Sequence, residues 1–307
     1  MGSLINLNIT KPITELIKVV SKGIGTLYEP RQITKKAEAE AKALEITERS
    51  KTNAEIERRE RLSESDIRIQ NRLMAQERMR QKNIDDVVDI AAYQLKDERE
   101  VPKDKVSVDW ATRFFNIVQD ISEDEMKLIW GKLLAGEVET PGSYSLRTLE
   151  LLKNLSSDEA RLFSEVSNLA LRRVNEVLII RRDNINEEYG FTFDNILALT
   201  DAGLIKPILN TVMVLGPTTE EGDFILKFGK YVVKAVIKDK ITIPSYIYTN
   251  AGAQIFKFIE NQEHDLDYLK KVLKSISNDN VRFQVYKITK WNSDNDFDID
   301  EKNALVI

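Results

Sequence analysis

Apolar residues between Ile13 and Leu27 recur at helical intervals. Ile13, Leu16, Ile17, Val20, Ile24 and Leu27 share one side of a helical wheel, while Lys11, Glu15, Lys18 and Lys22 fall elsewhere. Thr10 and Pro12 suit the start of this helix. Gly23 and Gly25 each cost about 1 kcal/mol in a helix interior, and Pro30 blocks continuation, so the helix is expected to kink or end near Gly23.

From Thr34 to Lys82 the pattern changes to strong helix formers without Pro or Gly. Thirteen bases and ten acids surround a few large apolar residues, among them Leu44, Ile56, Leu62, Ile67, Ile69 and Leu73. At ideal rise this stretch makes a helix about 73 Å long. Its apolar positions follow no sustained stripe, and a helix polar nearly all round bridges domains, leans on ion pairs or bundles with copies of itself. The expected role is a self-associating stalk using those six residues.

A series of short amphipathic helices follows. Trp110, Phe114, Ile117 and Ile121 mark one of them, and Ser122/Glu125 and Ser156/Glu159 have capping-box spacing before apolar runs. After Glu176 the period shortens: "EVLII", "TVMVLG", "DFILKFG", "YVVKAVI", "ITIPSYIY" and "VRFQVYKIT" read as strands, separated by helices at "FDNILALTDAGLI", "TNAGAQIFKFI" and "LDYLKKVLKSI". The predicted fold is α+β and mostly α. It has an amphipathic N-terminal segment (1–33), a long charged helix (34–83), a helical bundle (84–175) and a winged-helix-like α+β domain (176–307).

Composition narrows the chemistry. Without Cys there are no disulfides or thiolate sites, and the single His264 rules out multi-His metal sites within one chain. Residues 1–36 carry a net +4 inside a chain of net −5, which suits an anionic membrane surface or an acidic partner. Together with the apolar stripe, this makes Ile13, Leu16, Ile17, Val20, Ile24, Leu27, Lys18 and Lys22 the candidate membrane- or partner-binding residues. No apolar run approaches the length of a spanning helix, and no signal-peptide or myristoylation pattern opens the chain. The expected location is the cytoplasm, peripherally at the inner membrane.

Catalytic motifs are weak. There is no Walker motif, and the Gly23/Gly25 pair lacks the third glycine of a dinucleotide loop because position 28 is Tyr28. "DNDFDID" (Asp294 to Asp300) begins like a calcium loop but places Ile299 and Leu305 where Gly and Glu are required, so it reads as a solvated tail. His264 lacks a nucleophile context and reads as a surface or capping residue. Residues 190–260 hold seven bases and seven acids, which argues against a phosphate-binding surface. Catalytic, metal and cofactor sites are therefore all expected to be absent. Arg113 and Arg147 are expected to brace the bundle through carboxylates such as Asp120 or Glu137.

Two stretches resemble a known bacterial family catalogued only as a domain of unknown function. One is the Gly-Ile-Gly-x-Leu-Tyr-x-Pro motif at Gly23, Ile24, Gly25, Leu27, Tyr28 and Pro30. The other runs from Trp130 through Leu134, Gly136 and Glu137 to Pro141, Gly142, Ser143, Ser145, Arg147, Thr148 and Leu149, with Trp130 and Arg147 as its core residues. The first motif is also similar to a segment of abortive-infection proteins, which implies a role in phage defence. The resemblance brings no catalytic residues. Three functions remain: a self-associating, non-enzymatic interaction protein with an unidentified protein partner, a nucleic-acid-binding regulator, and a metal hydrolase built on Asp and Glu.

Overall fold

A computed structural model describes residues 10–30, 64–97, 104–173, 176–207, 211–217, 225–257, 264–293 and 296–307. The chain divides into two compact units, Met1–Leu149 and Glu150–Ile307.

In the first unit, helix α1 (Lys11–Ile24) buries Ile13, Leu16, Val19 and Val20. It packs on α3 (Val108–Val118), on α4 (Asp124–Glu139) and on α2 (Glu64–Gln94). The glycines of the first motif do two jobs. A Cβ at Gly23 would stand 2.3 Å from Phe115, so α1 and α3 could not approach as closely, while Gly25 ends α1 in the left-handed conformation at φ 75°. Trp110 stacks on Phe114 at 5.0 Å, and Phe114 meets Trp130 edge-on at 5.4 Å, forming the aromatic centre. The bundle therefore begins at α1 and not at residue 84. The expected boundary between residues 83 and 84 falls inside the single helix α2. Of the expected capping box at Ser122 nothing forms, since α4 starts after Glu123 without a side-chain cap bond.

Helix α5 (Leu146–Asn154) crosses the boundary between units. In the second unit, α6 (Ser157–Ser167) opens on the expected Ser156/Glu159 capping box. Strands β1 (Leu171–Arg173) and β2 (Glu176–Ile180) lead to α7 (Asp183–Glu188) and α8 (Phe193–Asp201). Then come β3 (Val212–Leu215), β4 (Ile225–Phe228), β5 (Tyr231–Ile237) and β6 (Ile241–Ile247), followed by α9 (Asn250–Phe256), α10 (Leu266–Ile276), β7 (Val281–Ser293), β8 (Asp296–Ile299) and β9 (Leu305–Val306). These strands form one antiparallel sheet in the order β3-β6-β2-β1-β4-β5-β7-β8, with β9 also on β7. The fold is thus mixed, with helices and an antiparallel sheet. Residues 296–299, expected in a solvated tail, form a strand against β7.

Candidate functional site

Among the described residues of the first unit, α2 before Arg80 carries a run of exposed apolar side chains. Ile69 is 44% and Leu73 50% exposed, and Met74 and Met79 are open as well; Ile67 is half-buried. Leu44, Ile56 and Leu62 lie outside the described residues. About five helical turns below Ile69 and Leu73, on the same side, Val87 and Ala91 are fully buried in the bundle. One face of α2 is therefore core in its lower half and open in its upper half. Arg80 marks the transition, its Nε donating to Asp120 (3.0 Å) and its Nη1 to Glu77 (3.1 Å).

Below that point a second ion pair ties α2 to α4. The ammonium of Lys127, a buried side chain, donates to Asp86 at 2.9 Å, and Lys82 donates to the same oxygen at 2.8 Å. Burial raises the Asp86 carboxyl, but the hydrogen bonds from Lys82 and Lys127 outweigh it and hold the group below its ordinary range.

The N-terminal stripe is placed differently from its expected role. Ile13, Leu16 and Val20 are buried within their own unit, Ile17 and Ile24 are half-buried, and only Leu27, Lys18 and Lys22 are exposed. The face offered to a membrane or partner is occupied by α3 and α4. The amphipathic pattern arose from ordinary core packing.

The second motif is also a packing device. Trp130 is fully buried, and its Nε1 finds no hydrogen-bond acceptor among the described residues. Glu137 is buried at the end of α4 and accepts from the backbone N–H of Gly142 (2.7 Å) and Tyr144 (3.1 Å). Burial pushes its carboxyl up against the pull of these donors. Arg147 is exposed and is not the partner of Glu137, and Asp120 belongs to Arg80 and not to Arg113.

In the second unit the polar side chains tie elements together. Tyr246 donates to Asp183 at 2.7 Å beside Arg181, Asn186 donates to Tyr268 at 2.9 Å, and Ser167 meets Tyr248 at 3.1 Å. Burial drives the Tyr248 and Tyr268 phenols well above the ordinary tyrosine range. His264 is buried edge-on against Phe228 at 4.8 Å, not on the surface. Helix α8 presents Phe193 (59% exposed) and Leu197 to solvent beside Asp194 and Asp201, with no Lys or Arg in the helix. Among the described residues no group of three His, Cys, Asp or Glu side chains could hold a metal ion, and no helix is long and apolar enough to cross a membrane.

A family model described as "Protein of unknown function (DUF2806)" matches residues 67–273, and the chain belongs to that family. No curated protein and no solved structure matches the chain.

Proposed function

We propose that this family member is a non-enzymatic, self-associating interaction protein that assembles through the upper half of α2. The observation carrying this reading is the open face bearing Ile69 and Leu73. It continues a buried seam and exposes large apolar side chains on a helix that its own bundle does not cover there. Helices of this kind gain burial by pairing with another helix. Light scattering on full-length protein over a micromolar range tests the reading. An oligomer is expected, with Ile69→Glu/Leu73→Glu shifting it to monomer without lowering the melting temperature. A monomeric wild type removes the reading.

The winged-helix reading of the second unit has topological support. Helix α6, strand β2, helices α7 and α8, then β3 and β6 occur in that chain order, with β1 inserted before β2 and β4 and β5 before β6, and β6 lies between β3 and β2. That is the order of a helix–strand–helix–helix–strand–strand module with a three-stranded wing. The second helix of such a pair would meet phosphate only with a basic surface. Here that helix offers Phe193, Leu197 and two aspartates, so docking of a protein is the better use of it. In the cell this assembly would serve phage defence in the cytoplasm. Equal plating of phage on cells with the wild type and with Ile69→Glu/Leu73→Glu would overturn that role.

A further inference from the structure

The strands β1, β4, β5 and β7 are consecutive in the sheet. They carry Arg172, Arg173, Lys227, Lys234, Arg282, Lys287 and Lys290, and not one Asp or Glu, in a chain whose net charge is −5. Strand pairing sorts these residues by face. Arg172 pairs with Lys227, Lys227 with Val232 and Val232 with Tyr286, making one cross-strand row. The neighbouring rows on that face are Ile225, Lys234 and Gln284, then Val236 and Arg282. The opposite face carries Leu226, Val233, Ala235, Phe283 and Val285, all buried. One face is core apart from Arg173 and Lys287; on the other, basic face Arg172, Lys227 and Val232 are buried, Lys234 is half-buried and Arg282 is exposed.

Aromatic rings are interleaved with the cations on the basic face. Lys234 Nζ lies 5.0 Å from the Tyr286 ring centre. Lys227 Nζ lies 5.1 Å from Trp291 and 5.3 Å from Phe297, which meet each other edge-on at 5.7 Å. Trp291 is 47% exposed, Arg282 is exposed, and Ile225 and Val236 are open beside them. Asp298 pairs with Lys290 on the other side of the β7–β8 ribbon from Trp291 and Phe297.

We infer that this face binds single-stranded nucleic acid, with Lys234 and Arg282 meeting phosphates and Trp291 and Tyr286 stacking on bases. Alternating cations supply the sequence-independent attraction to a phosphate chain. Exposed rings on a sheet supply stacking, which a duplex cannot use because its base faces are already stacked. An anionic lipid surface would use the charges but leave the rings without a role. This inference uses a different surface from the association helix and does not depend on it.

The experiment is fluorescence anisotropy of full-length protein with labelled dT20 and U20, at 50 to 300 mM salt. Binding is expected to weaken steeply with salt. Lys234→Gln/Arg282→Gln should weaken it at least tenfold and reduce the slope of log K against log salt by about 1.4, the loss of two single-strand phosphate contacts. Trp291→Ala should weaken it at least fivefold. Arg68→Gln/Arg72→Gln, on α2, should change nothing. Thermal melts of each variant confirm folding, and Trp291→Phe should keep most of the affinity. No binding at 50 mM salt, binding equally affected by the α2 variant, or tighter binding to a 20-base-pair duplex or to vesicles containing 30% phosphatidylserine would each overturn the assignment.

Discussion

The Tyr28 phenol donates to the Asp85 carboxylate across 3.2 Å, with both residues buried in the helical unit. Just before it, Ser21 Oγ accepts the Tyr28 N–H at 3.0 Å and donates to the Ile17 carbonyl at 2.8 Å. The chain leaving α1 is thereby folded back and clasped to α2. Removing the hydroxyl leaves Asp85 with one fewer buried donor, which costs about 1–2 kcal/mol. Tyr28→Phe should lower the urea midpoint accordingly. An unchanged midpoint would mean that the clasp adds nothing to stability.

Because α1 is core, its apolar residues behave as core. Leu16→Ala should destabilise the protein by about 2–5 kcal/mol, as a cavity in a packed interior does. Leu27→Ala, at an exposed position on the same wheel face, should stay within about 0.5 kcal/mol. Chemical denaturation of both variants decides it, and equal small effects would return the stripe to the surface role first read from its pattern.

Periodicity located most elements of the second unit, though not β1, α7, β8 or β9, because β-branched runs such as "YVVKAVI" and paired caps such as Ser156/Glu159 act locally. What covers a stripe is not local. Ile13, Leu16 and Val20 look the same whether α3 or a membrane lies over them, and only tertiary packing separates the cases. The basic sheet face was hidden for a related reason. Counting residues 190–260 in a line mixes Lys227 and Lys234 with the acids of the intervening segments and omits Arg172 and Arg282, which strand pairing brings beside them. Charge read along the chain averages what a sheet sorts by face.

The Asp86–Lys127 pair gives the helical unit an acid-sensitive tie. The folded-state pKa of Asp86 is depressed, so its contribution is present above the unfolded carboxylate value and is lost as pH falls through the lower folded value. Asp86→Asn leaves Lys127 buried with a weaker acceptor and should cost about 2–3 kcal/mol at pH 7. The stability curves of wild type and variant should converge as pH falls below about 4, the unfolded carboxylate value. Parallel curves over that range would show that Asp86 does not titrate at a depressed value.

The second family motif separates into a buried acceptor and an exposed cation. Glu137→Gln puts an amide against backbone donors that the carboxylate accepts, and should cost about 1–3 kcal/mol. Arg147→Ala should stay within about 0.5 kcal/mol. If Arg147→Ala proved the more damaging in thermal melts, the motif would be held by a contact other than the turn around Glu137.

Pairing of two copies through α2 should be antiparallel. Within the described part of the helix, Glu64 and Asp66 lie farthest from the bundle and Arg78, Arg80 and Lys82 nearest to it, with Arg68 and Arg72 between. Antiparallel copies set acidic ends against basic ones and place the two bundles at opposite ends, whereas parallel copies align like charges. Antiparallel packing brings Ile69 of one copy to Leu73 of the other, whereas in-register parallel packing matches each residue with itself. The chain has no Cys, so engineered thiols report without background. Mixing Ile69→Cys with Leu73→Cys protein under mild oxidation should give the mixed disulfide in excess over either homodimer. Homodimers in excess would establish a parallel pair, and no cross-link in any mixture would place the contact elsewhere on the molecule.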